Sequence, residues 1–207
     1  MKRFILIVLA MMLCLIGKAE SWTDSNGTTW NFYTYQEWND SYTYYATLSQ
    51  NGENPCISGT IPKNLVIPST VQVGETVCNV KSIGWRSFYG CASLTSVTIP
   101  DGVTTIERYA FEGCSGMQTI NIPDGITSIG TCAFYCCSSL TAICLPTSVS
   151  YIDNNAFGYC SSLASINIPD GITAINLGTF QGCDALTSIT LPSSVTSIGD
   201  YAFSGCI

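Results

Sequence analysis

The sequence predicts a solenoid of 23-residue coils, mostly β-strand with short helical or 3-10 turns, behind an aromatic-rich β cap. Three observations carry this. Phe88, Phe111, Phe134, Phe157, Phe180 and Phe203 recur every 23 residues, and Cys91, Cys114, Cys137, Cys160, Cys183 and Cys206 do the same. Leu94, Met117, Leu140, Leu163 and Leu186 keep that period, as do Pro100, Pro123, Pro146, Pro169 and Pro192. A repeat of this length means a stack of short units, each too small to bury its own apolar face. The third observation is compositional: nine of the 24 residues from Trp22 to Tyr45 are aromatic.

The chain opens with Lys2 and Arg3, an apolar run from Phe4 to Ile16, and Gly17-Lys18-Ala19. This reads as a secretory signal peptide, residues 1–19, cleaved after Ala19. A membrane anchor is the alternative, but the apolar run is shorter than the roughly 20 residues a spanning helix needs. Cys14 lacks the small preceding residue of a lipoprotein site. Without residues 1–19, four basic residues (Lys63, Lys81, Arg86, Arg108) remain against fourteen acidic ones, a net charge of −10. That balance excludes a basic nucleic-acid footprint and a Lys/Arg face for an anionic membrane. No later segment is apolar enough to span a bilayer.

Residues 20–63 are expected to form the N-terminal β cap. Asn26-Gly27 between alternating segments is a hairpin signal, and Trp22, Trp30, Phe32, Tyr33, Tyr35, Trp38, Tyr42, Tyr44 and Tyr45 can cover an open core end. The sharper alternative is that the same rings form a platform for a glycan. An opening coil, 64–93, follows. It keeps Val66-Ile67-Pro68, Ile83, Phe88 and Cys91, and nine extra residues around Gly74-Glu75 read as an inserted hairpin.

Five repeats complete the solenoid at 94–116, 117–139, 140–162, 163–185 and 186–207. In the first, Leu94, Val97 and Ile99 point inward from one strand, which Pro100 ends because it cannot donate to a ladder. Asp101-Gly102 is turn chemistry. Val103 and Ile106 face inward from a second extended segment. Ala110 and Phe111 anchor a short helical or 3-10 turn, and Cys114 closes the coil. Stacked strands should pair about 4.8 Å apart, with backbone bonds running along the axis.

The unit L-x-x-I-x-I-P-x-x-V-x-x-I-x-x-x-A-F-x-x-C resembles the BspA-type leucine-rich repeat over about 64–207. The resemblance implies a leucine-rich-repeat-like solenoid of the α/β horseshoe class, a secreted or cell-surface location, and adhesin-like binding. The implied partner is an extracellular protein, from host matrix or plasma or from another microbe's surface. Gly178-Thr179 and Asn176-Leu177 depart from the pattern in one coil.

The sequence holds no histidine, so Ser-His-Asp and Cys-His catalysis are excluded. No phosphate-binding glycine loop or nucleophile motif is present. Asp101, Asp124 and Asp170 share a turn position with a structural use already. We therefore expect no enzyme, no cofactor and no metal. Eleven cysteines remain after the leader. Ladder neighbours with parallel side chains would hold their Cβ atoms about 4.8 Å apart, beyond the usual disulfide spacing of about 3.8 Å. The six periodic cysteines thus read as small buried hydrophobes, with bridged neighbours as the alternative. Cys144 should face outward. Cys132 with Cys136 and Cys56 with Cys78 are open disulfide candidates.

The expected interaction face is the outward side of the first strand: Thr95, Ser96, Thr98, Gln118, Thr119, Asn121, Thr141, Cys144, Ser165, Asn167, Thr187, Ser188 and Thr190. Such a flat polar surface suits another extended surface better than a small molecule. Glycan binding through the aromatic segment is a second function, and a fragment of a longer surface protein a third. The uncovered Leu191, Val195, Ile198 and Phe203 layer predicts end-to-end self-association.

Overall fold

The computed structural model describes residues 18–36, 44–48, 57–58 and 61–207. Residues 1–17, and with them Cys14, lie outside the described residues, as do Trp38, Tyr42 and Cys56.

Four strands precede the coils: β1 (Lys18–Thr23), β2 (Thr29–Gln36), β3 (Tyr44–Leu48) and β4 (Ile57–Ser58). β1 and β2 form an antiparallel hairpin around Gly27, whose φ is +81°. Asp24 organises the turn by accepting from the Asn26 and Thr28 amides and from the Trp30 indole N–H at 3.0 Å. These bonds, the indole's foremost, hold the Asp24 carboxyl below its ordinary range. Trp30 and Phe32 are buried in the core. β3 then pairs in parallel with β7 of the opening coil, so the cap sheet runs without a break into the solenoid.

The opening coil contains β5 (Asn64–Val66), β6 (Thr70–Val73) and β7 (Thr76–Ile83). β6 and β7 are the antiparallel hairpin expected around Gly74-Glu75. In the repeats, the first strands are β8 (Ser96–Thr98), β10 (Thr119–Asn121), β12 (Ala142–Ile143) and β14 (Ser165–Ile166). The second strands are β9 (Thr105–Ile106), β11 (Ser128–Ile129), β13 (Tyr151–Ile152), β15 (Ala174–Ile175) and β16 (Ser197–Ile198). Second strands pair in parallel at a register shift of one repeat, as Ile106 with Ile129 and Ile129 with Ile152, in two ladders, β9–β11–β13 and, separately, β15–β16. Between the two strands of a coil, the proline carbonyl accepts from the residue three further on, as Ile126 N–H to Pro123 at 3.1 Å.

The core is a set of columns. The phenylalanine rings stack along the axis at 5.0–5.7 Å between centroids, from Phe88 through Phe203, and neighbouring planes lie within 14° of parallel. The periodic cysteines form a second column. From Cys114 onward each thiol donates to the phenylalanine carbonyl of the preceding coil, as Cys114 to Phe88 and Cys160 to Phe134, both at 3.1 Å. No disulfide joins them. Burial pushes the Cys91 thiol up to about 11, and burial with the neighbouring Cys206 pushes Cys183 up to about 12.

The helical or 3-10 turn expected around Ala110-Phe111 is absent: the described residues form hydrogen-bonded turns and no helix. The reason is a pair of left-handed backbone positions in every coil. One holds Arg86, Tyr109, Cys132, Asn155, Gly178 and Tyr201, the other Gly90, Gly113, Cys136, Tyr159, Gly182 and Gly205, all with φ between +53° and +85°. A left-handed residue every fourth step prevents a right-handed helix from propagating. The amides then alternate in direction. Phe111 and Gly113 donate to Ala133 and Tyr135 of the next coil, both at 2.8 Å. Glu112 and Cys114 donate within the turn to Tyr109 and Phe111. Every second amide becomes an inter-coil rung, so this edge binds its neighbours without being a sheet.

The departure at Gly178-Thr179 is accommodated. Gly178 fills the left-handed position, and the buried Thr179 hydroxyl donates to the Asn176 carbonyl at 2.8 Å. Ser87, at the equivalent site in the opening coil, donates to the carbonyls of Leu48 and Gly84.

Candidate functional site

The expected interaction face is solvent-facing, but it is not one continuous sheet. Thr98, Gln118, Thr119, Asn121, Thr141, Cys144, Ser165, Asn167, Thr187, Ser188 and Thr190 are exposed, and Thr95 and Ser96 are half-buried. First strands pair as β5–β8–β10 and, separately, as β12–β14. Residues 187–190 form no strand. The face therefore opens between β10 and β12, and again after β14.

Asparagine explains where it opens. The Asn121 carboxamide accepts from the Ile99 amide at 2.7 Å and donates to the Ile99 carbonyl at 3.0 Å, both in the preceding coil. Asn167 does the same to Leu145, with both bonds at 2.7 Å. Each clamp satisfies a donor and an acceptor just past the end of a first strand, where unpaired backbone would be costly. At the two open junctions the same position holds Cys144 and Thr190, which lack the carboxamide's separate donor and acceptor atoms. The opening coil needs no clamp, because Ile67 N–H reaches the Thr98 carbonyl directly at 2.9 Å. Asn121 and Asn167 are thus tied to the scaffold rather than free for a partner.

The second opening forms a groove of about 480 Å³ between coils 163–185 and 186–207. Ser165, Asn167, Ser188 and Thr190 line it together with Asp170 and the partly covered Ile189. Four residues of the expected face thus converge on one concavity, while Ser96 and Thr98 sit on paired strand. The break at Cys144 and Thr190 was readable in principle, since Asn recurs at one repeat position and lapses there.

The remaining thiols divide by exposure. Cys144 is exposed, and Cys132 and Cys136 are half-buried on the outer turn. Cys132 and Cys136 are both free, so the bridge considered between them is not formed. Each occupies one of the left-handed positions. Burial, and then the charges of Glu112, Asp153 and Cys136, push Cys132 up to about 11, which makes it a weak nucleophile at neutral pH. Cys78 is a free buried thiol, and its considered partner Cys56 falls outside the described residues. Among the described residues, no three His, Cys, Asp or Glu side chains converge as metal ligands. Nor is any helix there long and apolar enough to cross a membrane.

A stack of short parallel strands, a phenylalanine column and an asparagine-clamped polar face define a leucine-rich-repeat-like solenoid scaffold. Residues 81–207 match the BspA type leucine rich repeat region in six copies, and the chain belongs to that family. A search of curated proteins finds no match. Among solved structures, the chain is similar to a leucine rich cell surface protein from Faecalibacterium prausnitzii, with 34% identity and a TM-score of 0.70, over 91% of this chain and 47% of that one. It is similar to a leucine-rich repeat protein from Bacteroides ovatus at 27% identity and a TM-score of 0.60, over 84% and 49%. A leucine rich repeat protein of T. pallidum gives 27% and 0.58, over 91% and 86%. The chain spans about half the length of the first two.

Proposed function

We propose that this protein is a secreted or cell-surface scaffold for protein–protein interaction, adhesin-like, without catalytic activity. The observation that carries the reading is the exposed hydroxyl- and amide-rich first-strand face, opened into a groove at Ser165, Asn167, Ser188 and Thr190. A groove flanked by unpaired strand backbone offers hydrogen bonds to an extended chain, the contact used when a peptide adds to a sheet edge. The partner class is an extracellular protein of a host or of another microbe, and the leader at 1–19 supplies the route out of the cell. The cell-surface description of the Faecalibacterium neighbour agrees with this location.

The test is biosensor binding of the chain from Glu20 onward to immobilised matrix and plasma proteins, with Ser188→Arg as the groove-blocking variant. Binding that Ser188→Arg abolishes while the melting temperature holds supports the reading. Binding to none of these surfaces, or binding indifferent to the block, removes the groove from it.

Glycan binding through the N-terminal aromatics loses ground in the fold. Trp30 and Phe32 are each 1% exposed and cover the core, whereas Tyr33 is 40% exposed. Removing residues 20–60 would strip β3 from β7, so Tyr33→Ala on a glycan array is the cleaner discriminator.

A further inference from the structure

The turn edge of the solenoid carries a surface unlike the two strand faces. After the leader, this acidic chain has only two arginines, Arg86 and Arg108. They occupy adjacent turn positions one coil apart, where the Arg86 amide donates to the Arg108 carbonyl. Trp85 and Tyr89, 40% and 38% exposed, stand beside Arg86, and Tyr109 follows Arg108. The strand faces, by contrast, are mostly Ser, Thr and Asn.

The Arg86 guanidinium lies over the Tyr89 ring at 4.0 Å and near the Trp85 ring at 5.4 Å. Stacking occupies its flat face and leaves its N–H edge to hydrogen-bond. Among the described residues, neither arginine is in an ion pair. Two carboxylates are nearby. Glu107 accepts from the Ser82 hydroxyl at 2.9 Å. Glu112 feels the Arg86 charge, although burial weighs more on it and raises its pKa. Arg86 and Tyr109 sit at φ +54° and +62°, in the column where Gly178 takes this conformation freely. A bulky residue there costs about 1–2 kcal/mol. Cys132, Asn155 and Tyr201 share this conformation in later coils, so it belongs to the repeat and places Arg86 and Tyr109 on the turn edge.

We propose that Trp85, Arg86, Tyr89, Arg108 and Tyr109 form a docking patch for an acidic segment of a partner protein, one carrying a carboxylate beside an aromatic or apolar side chain. This rests on the scaffold reading and names a second contact surface for it. The carboxylate meets the guanidinium edges as a charge-assisted pair, and the apolar side chain packs on Trp85 and Tyr89. Trp, Tyr and Arg are the residue types that concentrate binding energy in protein interfaces. Charge complementarity fixes the sign of the partner: a cationic segment would meet two unpaired arginines.

The probe is an immobilised Glu–Tyr random copolymer, with polylysine and heparin as parallel surfaces and the chain from Glu20 as analyte. The expected result is micromolar binding to the copolymer, weakened at least tenfold by Arg86→Gln/Arg108→Gln and by Trp85→Ala. It should weaken with added salt; polylysine, which attracts the net charge of −10 as a whole, should hold wild type and both variants alike. Both variants alter solvent-facing groups, and an unchanged melting temperature certifies each. Copolymer binding equal in wild type and both variants, or absent in wild type, overturns the proposal. Arginine-dependent binding to heparin without binding to the copolymer overturns it too, in favour of an anionic glycan. A protein partner lost on Ser188→Arg but retained by Arg86→Gln/Arg108→Gln and by Trp85→Ala would leave the scaffold reading standing and sink this one.

Discussion

Replacing Phe134 by alanine should cost far more than replacing Phe203, although the two occupy the same repeat position. Phe134 is fully buried and stacks on Phe111 and Phe157, each at 5.4 Å. Phe203 is half-buried and stacks on Phe180 alone, at 5.5 Å. Full burial of the ring is worth about 3 kcal/mol, and each stacked pair adds roughly 0.5–1.5 kcal/mol. Phe134→Ala should therefore cost about 4–5 kcal/mol, at the upper end for Phe-to-Ala changes in cores. Phe203→Ala, with one pair and partial burial, should cost about 2 kcal/mol on the same terms. Urea unfolding followed by far-ultraviolet circular dichroism measures both. For a chain of this size the larger loss lowers the melting temperature by about 10 °C or more. Equal costs for the two variants, or a loss below about 1 kcal/mol for Phe134→Ala, would refute the column as the source of stability.

Asn121→Ala should destabilise by about 1–3 kcal/mol, because it orphans the Ile99 amide and carbonyl. Cys144→Asn should raise the urea midpoint and slow exchange of the Ile122 amide, by installing the clamp missing at that junction. Stability should fall above pH 9. Cys183 ionises at about 12 in the fold against 9.0 when exposed, so the unfolded chain releases its proton first and gains about 1.4 kcal/mol per pH unit over that window. Below pH 9 the dependence on this thiol disappears, and Cys183→Ala should make the alkaline limb of a pH series of melts shallower but not flat, since Cys91 and Cys132, pushed up to about 11, contribute to it as well. Gly130→Ala should fail by overpacking, since a Cβ there would lie 2.5 Å from the Arg108 nitrogen and 2.7 Å from the Glu107 carbonyl carbon; a melting temperature within 2 °C of wild type would contradict this.

The columns were legible because burial leaves a side-chain signature. Phe, Cys, Leu and Pro each face a constant environment in every coil, so each repeats. The left-handed positions before the Phe were not legible. Arg86, Tyr109, Cys132 and Asn155 share a conformation usually signalled by glycine, and only Gly178 advertises it. The helical turn was expected because Ala-Phe suggests helix; Gly90, Gly113, Gly182 and Gly205 mark the left-handed flank after the Phe, but the flank before it carries no such sign in most coils. The polar face was legible as outward-facing, but its division left only the lapse of Asn as a signal, and the paired Thr98 shares that lapse. Thr98, Asn121, Cys144, Asn167 and Thr190 look alike as short polar residues, and only the two-way bonding of the carboxamide separates clamp from gap. The aromatic and arginine cluster at Trp85–Tyr109 escaped because the shared repeat positions hold unlike residues, Trp85 with Arg108 and Arg86 with Tyr109, so no residue type recurs to mark them.

The inter-coil rungs of the turn edge make length an inheritable variable of its own. Phe111 and Gly113 donate to Ala133 and Tyr135, and Phe134 and Cys136 donate to Ala156 and Gly158 in the same way. An in-frame loss of residues 117–139 would leave Phe111 and Gly113 facing Ala156 and Gly158, with no donor stranded. Gain or loss of whole units by recombination therefore meets no barrier from the backbone, in keeping with solved neighbours about twice this length. The side chains decide what such an event alters. In the shortened chain Cys144 would face Ile99, where Asn121 now stands, and the polar face would open at a new place. Reordering units would move binding grooves along the molecule without altering a single residue inside any of them.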